Sequence, residues 1–63
     1  MWQNCEISIT SGRIISEKMK VLHRTTNSIH IEFHVGFDVV FKTFFLKEEN
    51  WQIDDRFFLK FTD

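Results

Sequence analysis

From Ile29 onward the large apolar residues recur at every second position. Ile29, Ile31, Phe33, Val35, Phe37, Val39 and Phe41 are odd-numbered, Thr43 breaks the series and Phe45 resumes it. Trp51, Ile53, Phe57, Leu59 and Phe61 keep the same parity. A period of two is the mark of a strand with one face in a core and the other in water. Nothing else in the chain restricts its fold as much. Composition agrees: alanine, the best helix former, is absent, while Phe, Ile, Val and Thr, which suit a pleated half-buried surface, are abundant.

A chain of 63 residues holds one domain, taken as 1–63. A domain of this size buries only about 60% of its unfolded surface and needs extra stabilisation. The single Cys5 supplies neither an internal disulfide nor a zinc site on its own. The remaining sources are an aromatic core, built from eight Phe and two Trp, and association with another chain.

Cys5, Ile7 and Ile9 alternate with polar residues before the turn signal Ser11-Gly12, so a first strand is expected over about 4–10. A second is expected over about 18–25, where Met19, Val21 and His23 alternate with Lys18, Lys20 and Arg24. Thr26-Asn27-Ser28 reads as a three-residue loop pairing Thr25 with Ile29, which sets His23 opposite Ile31, Val21 opposite Phe33 and Met19 opposite Val35. Gly36 is the tip of a tight hairpin or a kink in one long strand, in either case with the odd residues kept inward. Glu48-Glu49-Asn50 and Asp54-Asp55 are further turn signals. The expected fold is all-β: a small, twisted antiparallel sheet or partly closed barrel of four to six strands. The rival is α+β with a helix at about 16–24, capped by Ser16, or at about 37–48, where Phe37, Val40, Phe41, Phe44 and Phe45 also fit a 3.6 period. Glu48-Glu49 at the unfavourable end of that second helix dipole weighs against it.

A net charge of −1 and a pI near 6.3 leave no global footprint for nucleic acid or an anionic membrane. The chain shows no signal peptide or membrane-spanning run, and a free cysteine suits a reducing compartment, so a cytoplasmic protein without membrane partners is expected. No nucleophile elbow, phosphate-cradling loop or paired-carboxylate spacing is present, and Cys5 reads as a buried, inert thiol. An enzyme is not expected, nor a cofactor.

Three surfaces remain as candidates. The first is the even-numbered row Val40, Phe44 and Leu46 with Phe58, which, if the odd residues face the core, is an apolar outer patch suited to a protein partner. It implies a non-enzymatic binding module of inhibitor or adaptor type, most simply a homodimer or homo-oligomer. The second is a basic face of Lys18, Lys20, Arg24 and His30 suited to nucleic acid, although that face of the second and third strands carries no aromatic residues for base stacking. The third is the His30-Glu32-His34 row, which presents two imidazoles from one strand face as a metal site does. Neighbouring Lys18, Lys20 and Arg24 oppose a cation there, and a solvated strand face is the expected role.

Overall fold

The computed structural model describes residues 1–53 and 56–62. Six antiparallel strands follow one another around a closed barrel: β1 (Trp2–Ile9), β2 (Ile14–Arg24), β3 (Ser28–Val35), β4 (Asp38–Lys47), β5 (Asn50–Ile53) and β6 (Phe57–Phe61). β6 returns to β1, where Cys5 pairs with Phe61 and Ile9 with Phe57. Both segments with a helical rival, 16–24 and 37–48, lie within strand or turn. The pair Asp54-Asp55 lies outside the described residues.

Alternation fills the interior. Cys5 and Ile7 from β1, Met19 from β2, Ile29, Ile31 and Phe33 from β3, Phe44 from β4, Trp51 from β5 and Leu59 from β6 form one buried cluster. Ile15, Val21, Val35, Val40, Ile53, Phe57 and Phe61 pack around it. No polar or charged side chain is buried among the described residues. Burial of this kind contributes about 1.5–3 kcal/mol for each large apolar side chain, the main favourable contribution in so small a domain.

The inward residues are odd-numbered on five strands and even-numbered on β4. The reason is the β3–β4 connection. Val35 pairs with Asp38, so the loop contains only Gly36 and Phe37, and every later pair joins an odd residue to an even one, as in Phe33 with Val40 and Ile29 with Phe44. Paired residues share a face. Gly36 sits at φ 62°, left-handed backbone as the first central residue of a type II′ hairpin requires. The expectation that odd residues stay inward across Gly36 is therefore corrected: Val40 and Phe44 are inside, and Phe37, Val39, Phe41 and Phe45 are outside.

The β2–β3 register also differs from expectation. Met19 pairs with Phe33 and Val21 with Ile31, two residues away from the pairing inferred from a three-residue loop. The loop is shorter: Thr25 N–H donates to Ser28 O at 2.9 Å, and Ser28 N–H donates to Thr25 Oγ1 at 3.1 Å. A register shift between Val21 and His23 then restores the parity, so Met19, Val21, Ile31 and Phe33 still face inward. The extra residue, Leu22, is left half exposed.

The β4–β5 hairpin is tight in another way. Glu48 and Glu49 both have positive φ, 51° and 70°, between the paired Lys47 and Asn50. This is the type I′ geometry that Asn-Gly adopts readily and that costs an ordinary L-residue about 1–2 kcal/mol. Asn50 Nδ2 donates to Glu48 O at 3.3 Å across the turn. Glu49→Gly is expected to raise stability by about 0.5–1 kcal/mol in a urea melt, the strain relief exceeding the entropic cost of glycine. The parity of β4 gives a sharper test. Phe44→Ser should destabilise by about 3–5 kcal/mol, as large-to-small core substitutions do, while Phe45→Ser should stay within about 0.5 kcal/mol. Equal losses would contradict the inward-facing assignment of Phe44.

Candidate functional site

The outer surface of β1–β4 is assembled by register. Trp2 pairs with Lys20, Lys20 with Glu32 and Glu32 with Phe41, so these four side chains form one row across four strands. At the usual strand spacing the row is about 14 Å long. His23, His30 and Thr43 form a second row, and His34 pairs with Val39 in a third.

The three histidine-row residues are engaged with different neighbours. His30 Nδ1 and Thr43 Oγ1 are hydrogen-bonded at 2.7 Å. His34 Nε2 lies 3.6 Å from Glu32 Oε2, and the His34 ring meets the Trp2 indole edge-on at a centroid distance of 5.1 Å. A shallow hollow of about 390 Å³ opens between Trp2, Ser16, Lys18 and His34. Among the described residues no group of three His, Cys, Asp or Glu side chains is arranged to hold a metal ion.

The basic face inferred from sequence is present only in part. Lys18, Lys20 and His30 lie on the outer side. Arg24 does not join them, because the extra residue at Leu22 turns it toward the barrel mouth. Its guanidinium carbon stands 5.6 Å from the Trp51 ring centre and 5.2 Å from that of Phe61. There it lies over the end of the core in cation–π contact with both rings while remaining exposed. Conversely, the aromatic residues missing from the outer face of β2 and β3 are supplied by their neighbours, Trp2 on β1 and Phe41 on β4.

The apolar patch inferred from sequence is not one surface. Phe44 is fully buried and Val40 packs against the core. Leu46 is exposed and pairs with Trp51 at the end of β4. Phe58 is half-buried on the opposite side of its strand from Leu59, between Ser8 and Gln52. The exposed apolar surface lies instead on the other face of the same strand. Val39 is 53% exposed, Phe41 56% and Phe45 57%, and Phe37 at the hairpin tip is fully exposed. From Val39 to Phe45 this ridge is about 20 Å long at the strand rise, with Thr43 as its polar member. Parity arithmetic would have found it: a two-residue loop at Gly36-Phe37 moves the core face of β4 to the even positions.

Cys5 is 2% exposed. Burial pushes its thiol from 9.0 up to about 11, with the carboxylates of Glu17 and Glu6 adding to the effect. A thiol held neutral in this way is a poor nucleophile at ordinary pH. Because the folded value lies above the unfolded one, the associated stability is full below about pH 9 and is lost as pH rises through about 11. The native protein should therefore resist thiol reagents at neutral pH, and its melting temperature should fall more steeply between these limits than that of Cys5→Ala. Identical alkaline profiles for the two would show that Cys5 is not the linked group.

Comparison of the chain with protein-family models, with curated proteins and with solved structures finds no match.

Proposed function

We propose that this protein is a non-enzymatic binding module that docks another protein chain through the outer face of β4. The observation that carries the reading is the ridge of Val39, Phe41 and Phe45, each more than half exposed, continued by Phe37 at the hairpin tip. A large apolar side chain left wholly in water forgoes about 1.5–3 kcal/mol and a half-exposed one roughly half of that, a considerable sum over the ridge for a domain of 63 residues. Contiguous exposed apolar surface of this kind marks interaction sites, and aromatic residues dominate the energetics of interfaces. The neighbouring residues His30, Glu32, His34 and Thr43 supply a polar border, the usual composition of an interface rim. An adaptor or inhibitor role follows from this surface more readily than chemistry does, since the barrel is filled by its own side chains and its single thiol is buried.

A second reading has one observation in its favour. The row Trp2, Lys20, Glu32 and Phe41 sets a basic residue beside an aromatic one, with Lys18 and His34 around Trp2, which is the chemistry used to bind single-stranded nucleic acid. Against it stand the acidic Glu32 in the middle of the row and the withdrawal of Arg24 to the barrel mouth.

Salt separates the two. Protein capture or self-association through an apolar ridge should survive a rise from low to high salt, whereas phosphate binding weakens steeply. Phe41→Ser and Phe45→Ser should abolish capture or self-association while leaving the melting temperature within a few degrees of wild type. Unchanged association in both variants would defeat the ridge reading. Salt-sensitive quenching of Trp2 by a single-stranded oligonucleotide, lost in Lys18→Glu and Lys20→Glu, would replace it with the second.

A further inference from the structure

β4 is paired unevenly. Its residues from Asp38 to Phe45 are joined to β3, but β5 pairs only with Phe45, Leu46 and Lys47. Among the described residues the stretch 38–44 thus has a strand on one side only. Natural sheet edges are commonly guarded by proline, bulges or dense charge. This stretch contains no proline, and its ladder with β3 runs without a register shift.

We propose that this edge pairs with the same edge of a second copy of the chain, antiparallel across a two-fold axis at Val40. The inference rests on the reading of β4 as a protein-contact strand and names its partner. What selects a second copy is self-complementarity of charge. With Val40 opposite Val40 of the other copy, Asp38 falls opposite Lys42 and Lys42 opposite Asp38, while Val39 falls opposite Phe41 and Phe41 opposite Val39. A two-fold axis repeats each contact, giving two opposite-charge pairs on one face and two apolar pairs on the other.

Neighbouring registers lack this match. An axis at Val39 sets Asp38 against Val40, and an axis at Phe41 sets Lys42 against Val40 and Asp38 against Phe44. An axis between Val40 and Phe41 sets Lys42 against Val39 and mixes the faces of the two strands. Opposite charges directly across a ladder stabilise it and like charges destabilise it. Asp38 and Lys42 are both exposed, and the Lys42 ammonium lies 5.8 Å from the Phe57 ring centre, on the side of β4 away from the ridge. Pairing in this register adds backbone hydrogen bonds at the edge, the mode by which extended strands add to a sheet. It also brings Val39 and Phe41 of the two copies together.

The test is sedimentation of the full chain over a concentration series. Wild type should self-associate as a dimer. Asp38→Lys places lysines opposite each other and Lys42→Asp places aspartates opposite each other, so each variant alone should dimerise at least about tenfold more weakly. An equimolar mixture of the two should recover wild-type affinity as a heterodimer, because every charged pair is then opposite again. Asp38→Lys should also weaken the dimer more than Asp38→Asn does, an ordering that does not depend on how Lys42→Asp folds. Wild type that stays monomeric throughout would overturn the pairing and leave the ridge to a different protein, as decided by the Phe41→Ser and Phe45→Ser captures. A dimer indifferent to both charge reversals, or not recovered on mixing, would overturn the register and with it this proposal.

Discussion

The left-handed backbone at Gly36 decides which side of β4 meets the core. A hairpin with two residues in its loop must pair Val35 with Asp38, and from that pair every inward position on β4 is even. Phe44 then enters a cluster with Ile29, Ile31 and Phe33, and Val40 packs at its edge. The same geometry leaves Phe37, Val39, Phe41 and Phe45 outside. The packing of the interior and the apolar character of the exterior thus follow from one tight turn. A residue with a Cβ at Gly36 would strain the backbone even though nothing lies within 4 Å of where that atom would stand.

The strand content was legible because side-chain alternation is a local property. Cys5, Ile7, Met19, Val21, Ile29, Ile31, Phe33, Trp51, Leu59 and Phe61 all face inward as their odd positions suggest. What alternation does not carry is parity across a loop or a bulge. β4 has apolar residues on both faces, so its pattern fits either orientation, and only the length of the Gly36-Phe37 loop distinguishes them. In the same way Val21, Leu22 and His23 each have a body that tolerates either side, and the extra residue between them leaves no trace in composition. That shift moved Arg24 from the supposed basic face to the barrel mouth. The row Val40, Phe44 and Leu46 was accordingly assigned to the outer side of β4, although Val40 and Phe44 face the core, while Lys18, Lys20 and His30 lie on the outer face as inferred.

The exterior combines two characters that meet at Glu32. Toward β1 lie Lys20 and Trp2, and toward β4 lies Phe41. His34 touches both Glu32 and Trp2, tying the first strand to the third across β2. Edge-on aromatic contact, the hydrogen bond between His30 and Thr43 and the ladder beneath fix these side chains in the free protein, which under the proposed binding role would be a preorganised surface. Preorganisation of this kind reduces the side-chain entropy lost on association, so a modest contact area binds more firmly than the same residues would on a mobile loop.

Closure of the barrel between β1 and β6 has a consequence for how the molecule comes into being. Every other pair of neighbouring strands is consecutive along the chain, but Cys5 pairs with Phe61 and Ile7 with Leu59 across the whole length of the meander. Until β6 docks on β1 the meander from β1 to β5 has an open seam, and its inner Phe, Ile and Met side chains are incompletely covered. Contacts between distant segments form late because a long loop must close before they repay its entropy. The seam is therefore expected to be the last ladder to form on refolding, and the place where incompletely closed chains are most open to pairing with one another.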